Sequence, residues 1–168
     1  LKNAISKKQK GVNVLLYGSA GTGKTELSKV IASELNLKLY EVAYDDEYGY
    51  ATEDRRLRSY CLAQSVLSAG SNLLMYDEAE DIFNTNNDEK RQYGKAFINR
   101  SLETNEVPTI WITNNILDMD EAVVRRFNLA IEIGMPTEDV RAKIIKKYSE
   151  NLIDSKLVKK LAKNRFVA

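Results

Sequence analysis

Residues 12–25 read Val12-Asn13-Val14-Leu15-Leu16-Tyr17-Gly18-Ser19-Ala20-Gly21-Thr22-Gly23-Lys24-Thr25. A mostly apolar run meets the spacing G-x-x-x-x-G-K-[ST], filled at every fixed position, and an amphipathic stretch from Lys24 to Leu35 follows. This order predicts a strand, a glycine loop and a helix N-terminus. The glycines let backbone N–H groups face inward, and the helix end adds partial positive charge, so the loop is suited to cradle a polyphosphate. The expected nucleotide contacts are Gly18, Ser19, Ala20, Gly21, Thr22, Gly23, Lys24, Thr25 and Glu26. Lys24 is expected to reach the β- and γ-phosphates, and the Thr25 hydroxyl to hold Mg²⁺. An ordinary Gly-rich turn is the bland alternative, and the complete motif outweighs it.

Working outward, Leu73-Leu74-Met75-Tyr76 is an apolar run that ends in the acids Asp77 and Glu78. Asp77 at a strand tip suits the water shell of Mg²⁺, which prefers carboxylate and water oxygens. Glu78 is placed to polarise the water that attacks the γ-phosphate. Glu80 and Asp81 follow closely, so an acidic surface turn is the competing reading. The chain contains no histidine, which leaves carboxylates as the natural proton acceptors.

The rest of the chain alternates in the same manner. Strands are expected at Lys38–Tyr44, Asn72–Asp77, Thr109–Asn114 and Leu129–Ile133. Helices are expected at Thr52–Leu67, about Glu89–Glu103, Asp120–Arg126, Thr137–Asn151 and Asp154–Ala162, with Lys2–Gly11 a helical lead-in and residues 45–51 and 84–88 loops. This pattern predicts an α/β fold, a five-stranded parallel sheet with helices on both faces, and a ligand at the carboxyl ends of its strands. Residues 1–136 form the expected nucleotide-binding unit, and residues 137–168 the beginning of a helical lid.

Composition narrows the class. A length of 168 residues suits one such domain. The net charge of +1 argues against wholesale electrostatic capture of nucleic acid. Residues 137–168 carry nine lysines and arginines against four acids, more simply a solvated helical face than a nucleic-acid patch. The lone Cys61 excludes a disulfide framework or zinc cluster and is expected in the core. No apolar run reaches the ~20 residues of a membrane helix, so a cytoplasmic protein with no membrane partner is expected. The absence of an initial Met suggests a piece of a longer polypeptide.

With these motifs in order, nearly the whole chain resembles the AAA+ ATPase family, and within it the AAA clade of spastin-type remodellers. Leu74-Met75-Tyr76-Asp77-Glu78-Ala79-Glu80-Asp81-Ile82-Phe83 resembles the clade's extended Walker B segment. Trp111-Ile112-Thr113-Asn114 resembles its sensor 1 strand, which implies that Asn114 is a polar residue between Walker B and the γ-phosphate. Asp120-Glu121-Ala122-Val123-Val124-Arg125-Arg126-Phe127 resembles the segment that supplies arginine fingers to a neighbouring subunit. The resemblance implies ATP and Mg²⁺ as ligands, Glu78, Lys24, Asn114, Arg125 and Arg126 as catalytic residues, and Thr25 and Asp77 at the metal. It also implies ADP as product, a homo-oligomeric ring of six with fingers acting in trans, and a protein substrate.

Departures from the clade are local. Ser19 stands where proline is usual, and residues 45–51 do not keep the aromatic-hydrophobic-glycine order of a pore loop, although Tyr48 and Tyr50 lie there. Arg141 and Arg165 are not assigned to sensor 2. The leading expectation is an ATPase motor module that remodels a protein. A clamp-loader or helicase-loader type ATPase on DNA and a non-hydrolysing nucleotide-gated assembly switch stay open beside it. A small-molecule kinase lacks a visible acceptor site and leaves Asn114 and the arginine pair unexplained.

Overall fold

The computed structural model describes residues 1–43, 45, 46, 49, 50, 52–83, 95–149 and 152–164. In chain order the elements are α1 (Lys2–Ser6), β1 (Asn13–Tyr17), α2 (Lys24–Glu34), β2 (Lys38–Glu41), β3 (Asp45–Asp46) and β4 (Gly49–Tyr50). They continue with α3 (Glu53–Leu67), β5 (Asn72–Tyr76), α4 (Glu80–Phe83), α5 (Lys95–Thr104) and β6 (Thr109–Thr113). A 3₁₀ turn at Ile116–Asp118 then leads to α6 (Glu121–Val124), β7 (Leu129–Glu132), α7 (Glu138–Tyr148) and α8 (Ser155–Lys163).

Five strands form one sheet in the order β2-β5-β6-β1-β7, and every pairing in it is parallel. Parallel strands need long crossovers, and helices supply them here. Side chains alternate between faces along each strand, so each inner strand feeds two cores. Leu15, Leu74, Tyr76 and Trp111 pack beneath α3, α4 and α5 with Tyr60, Phe83, Ile98 and Leu102. Val14, Leu16, Leu73, Met75, Ile110 and Ile112 pack on the opposite face, where Ala32, Leu27 and Ile31 of α2 cover them.

A polar residue opens β1 inside this core. Asn13 is fully buried; its amide nitrogen donates to the Leu102 carbonyl at 2.6 Å and to Asn105 Oδ1 at 2.9 Å. Its oxygen accepts from Trp111 Nε1 at 2.9 Å, so all these contacts are satisfied inside the core. The network ties the start of β1 to the end of α5 and to β6. Trp111 in turn stacks on Tyr76 at 5.1 Å between centroids and meets Tyr60 and Phe83 at 5.0 and 5.2 Å.

The short and C-terminal helices are set by their caps. Asp120, Thr137 and Asp154 each precede a helix and accept from a backbone N–H of its first turn, at 2.8, 3.4 and 2.7 Å. Arg141 in α7 is buried and donates to the carbonyls of Pro136 and Ala162, stapling α7 to α8 and to the segment entering it. This structural task agrees with leaving Arg141 out of the nucleotide chemistry.

Several expectations shift in detail. β2 ends at Glu41 and not at Tyr44, because it is a terminal strand with mostly exposed side chains and little packing to extend it. Within 45–51, expected as loop, β3 and β4 pair antiparallel, Asp45 with Tyr50 and Asp46 with Gly49. Cys61 packs against the core only at its margin, half-buried at the edge of a cavity of about 580 Å³ between α3 and α5, because its helical position lies beside the buried line of Leu57 and Tyr60. The expected turn at 84–88 and the first part of the helix from Glu89 lie outside the described residues, as do Tyr48 and Arg165.

Candidate nucleotide site

Gly18, Asp77 and Asn114 each follow directly on a strand, β1, β5 and β6, and these three strands are neighbours in the sheet. The register sets Tyr17 opposite Thr113 and Tyr76 opposite Trp111, so the three chain segments leave the sheet along one edge. This is the carboxyl edge where ligands gather in open parallel sheets.

Two glycines show why the loop has its composition. Gly18 has φ +137°, and a Cβ there would lie 2.3 Å from the Ile133 carbonyl oxygen, so a side chain would push β1 away from the segment after β7. Gly23 has φ +92° and caps α2, and a Cβ there would meet nothing within 4 Å. With open space around it, the left-handed backbone and not crowding is what calls for glycine here.

Lys24 opens α2 and is only 5% exposed. Its ammonium donates to the carbonyls of Gly18 and Ser19 at 2.7 and 2.8 Å and to Asn114 Oδ1 at 3.0 Å. Burial lowers its pKa from the ordinary lysine value, and the nearby carboxylates of Asp77 and Glu80 partly oppose that shift. Next to it, Thr25 Oγ1 donates to Asp77 Oδ2 at 2.8 Å. The other Asp77 oxygen accepts the Glu78 backbone N–H at 2.8 Å. Lysine, threonine, aspartate and asparagine from three separate segments therefore converge by direct hydrogen bonds.

The cavity around them holds about 540 Å³. Loop residues Ala20 to Glu26, with Asp77, Glu78 and Asn114, supply its polar lining, and Pro136, Ile144 and Tyr148 supply apolar surface. Glu26 is turned into an ion pair with Lys29 at 2.5 Å. Thr22 closes the loop on itself through a bond to the Ser19 carbonyl at 3.0 Å. A hydroxyl and a carboxylate in contact suit a hard divalent cation that keeps most of its own water. Among the described residues no group of three or more His, Cys, Asp or Glu side chains forms a protein cage for a metal.

Arg125 and Arg126 do not line this cavity. Arg125 is exposed and pairs with Glu121 at 2.6 Å, one turn back on α6, while Arg126 pairs with Glu103 at 3.1 Å and bonds the Ala122 carbonyl.

Two residues enter the site without having been singled out. Glu80 accepts the backbone N–H of Asn114 and so fixes the segment that carries the asparagine. Arg56 of α3 is 3% exposed and donates to the Asp77 carbonyl at 2.5 Å. Its signal was present in the spacing: positions 56, 60, 63 and 67 share one helical face, and a cation on a core face must find buried acceptors. The apolar surface was beyond reach, since nothing local in Pro136 or Tyr148 shows which strand edge α7 faces.

The chain is 30% identical over 165 residues to the ATP-dependent zinc metalloprotease FtsH of Lachnoclostridium phytofermentans, an alignment of 90% of this chain and 29% of the relative. It is 26% identical over 148 residues to spastin of Naegleria gruberi, covering 81% of this chain and 28% of that protein. It thus spans less than a third of the length of either relative. Among solved structures, one that bears on katanin self-assembly superposes with a TM-score of 0.68 at 23% identity, covering 89% of this chain and 51% of the other. That likeness supports the parallel-sheet fold described above. No helix among the described residues is long and apolar enough to cross a membrane. Residues 14–135, from β1 to the segment after β7, match the ATPase family associated with various cellular activities (AAA), and the chain belongs to that family.

Proposed function

We propose that this chain binds Mg²⁺-ATP at the carboxyl edge of its sheet and hydrolyses it to ADP. One observation carries the reading: Lys24 meets Asn114 at 3.0 Å while Thr25 meets Asp77 at 2.8 Å, so both halves of a phosphate site are preassembled. In this arrangement the loop N–H groups and Lys24 hold the phosphates. Thr25 and Asp77 hold the cation, which when bound supplies positive charge against the phosphate oxygens. Pro136, Ile144 and Tyr148 offer the apolar surface that a nucleobase needs.

Glu78, exposed at the edge of the cavity, orients water and accepts its proton, and Asn114 positions the γ-phosphate. Arg125 and Arg126, outside their own chain's cavity, act on the site of a neighbouring copy in a ring of six. There a guanidinium stabilises charge on the transferring phosphoryl group. Residues 137–168 serve as the beginning of a lid over the nucleotide, and the energy released remodels a protein partner. The relationship to spastin supports that last step.

Calorimetry with Mg²⁺ and ATP, using the Glu78→Gln chain to prevent turnover, tests the core of this reading. Micromolar association is the expected result, and no heat at millimolar nucleotide overturns it. The same substitution should lower hydrolysis by at least about 100-fold, in the range attributed to general-base catalysis. Wild-type turnover in Glu78→Gln overturns the assignment of Glu78 and favours a nucleotide-gated switch.

A further inference from the structure

The carboxylate that directs water is held by a backbone in an uncommon conformation. Glu78 has φ +53°, in the left-handed region that non-glycine residues rarely adopt. Such a conformation persists only where neighbouring contacts over-determine it. Three contacts flank this one. Asp77 Oδ1 takes the Glu78 N–H at 2.8 Å, and the next residue, Ala79, is fully buried and donates its N–H to the Ile112 carbonyl at 2.8 Å. The third is Arg56. Its Nη2 donates to the Asp77 carbonyl at 2.5 Å, its Nη1 to the Glu78 carbonyl at 3.4 Å, and its guanidinium carbon lies 4.4 Å from the centre of the Tyr76 ring.

One planar guanidinium thus touches three successive residues, Tyr76, Asp77 and Glu78. We infer that Arg56 is a positioning residue for hydrolysis: by bracing the two carbonyls around the left-handed bend, it sets the direction in which the Glu78 carboxylate leaves the strand tip. The inference rests on the assignment of Glu78 as the water-directing group.

Arginine suits the task for geometric reasons. Its rigid fork presents several N–H groups at fixed angles, so two carbonyls can be held at once, whereas a lysine ammonium is a single flexible point. Tyr76 is itself clamped, because its ring also packs against Trp111 and Tyr60 in the core. The guanidinium is therefore referenced to the rigid centre of the sheet. Its backbone lies one turn inside α3, where the Arg56 N–H bonds the Thr52 carbonyl at 2.9 Å. None of the hydrogen bonds described for Lys24 or Thr25 involves Arg56. A defect at Arg56 should consequently affect turnover far more than nucleotide affinity.

The test compares Arg56→Met, Arg56→Lys, Glu78→Gln and the double variant Arg56→Met/Glu78→Gln. Each is measured for kcat, nucleotide Kd and melting temperature on the same chain. Arg56→Met is expected to lower kcat about 10- to 100-fold, as a displacement of order 1 Å at a reacting group does, with Kd changed by less than about threefold. Arg56→Lys should recover part of the lost rate. In the Glu78→Gln background Arg56→Met should cause no further loss, because the group it positions is already gone.

Several results overturn the inference while leaving the ATPase reading intact. These are wild-type kcat in Arg56→Met, a parallel fall in affinity and turnover, or a full additional loss in the double variant. Should Arg56→Met fail to fold, Arg56→Lys decides alone: an about 3- to 10-fold lower kcat at unchanged Kd supports the bracing role, and an unchanged kcat ends it. Undiminished hydrolysis by Glu78→Gln removes the premise itself, and is told apart because it appears with Arg56 intact.

Discussion

Lys24 combines burial with three oxygen contacts, and its behaviour with pH follows from that setting. Desolvation pulls its pKa below that of a free lysine, so its charge is lost at a lower pH as the solution becomes alkaline. The charged form is the one that meets phosphate. Nucleotide affinity should therefore be at its full value below the Lys24 pKa and decline through it, earlier than an ordinary lysine would allow. Titrations of Mg²⁺-ADP binding between neutral and alkaline pH check this. Lys24→Ala should bind at least about tenfold more weakly at neutral pH, since a charge-assisted bond to phosphate is lost, and should not show the alkaline decline. Arg125 predicts the opposite separation. Because it lies outside its own cavity, Arg125→Ala should leave binding unchanged and reduce turnover of an assembled sample by ~10³ or more, the scale of an arginine finger. Unchanged turnover removes that role.

β1 illustrates how much of an element is legible before the structure is seen. The run from Val12 to Tyr17 and the glycine spacing after it located a strand, a loop and α2 to within a residue at each end. Such a run says nothing of Asn13 beyond its being one polar letter in an apolar word. Its partners Asn105 and Trp111 lie 92 and 98 residues away, and only the folded sheet unites them. Arg56 was half legible, its face evident from helical spacing but its carbonyl partners not. The strand tips were readable because Gly18, Asp77 and Asn114 each end a local pattern. Predicting that β1 lies between β6 and β7 requires the crossover topology, and local patterns do not encode it. The Asn13 network also yields a stability prediction. Asn13→Ala leaves the Trp111 N–H and the Asn105 oxygen without this partner inside the core, at about 1–3 kcal/mol for each such group. A loss of about 2–6 kcal/mol is expected, seen as a lower urea midpoint at unchanged slope. Nucleotide affinity of the folded protein should persist, because Asn13 sits at the far end of β1 from Gly18.

The whole molecule divides its charge and its chemistry unequally. Its phosphate-handling residues converge on one edge, while the paired arginines stand on the surface with Glu121 and Glu103. If those arginines serve a neighbouring copy, catalysis is a property of the assembly. ATPase rate per chain should then rise steeply with protein concentration between nanomolar and tens of micromolar, and a flat rate would place the whole active site within one chain. The outer strand of the sheet carries a different consequence. β2 has four residues, pairs among the described residues with β5 alone, and exposes Lys38 and Glu41 at its two ends. A sheet margin so brief and so charged makes a poor template for a stray extended segment. Copies of this domain can thus crowd together at high concentration with less risk of zipping into fibrils along that border.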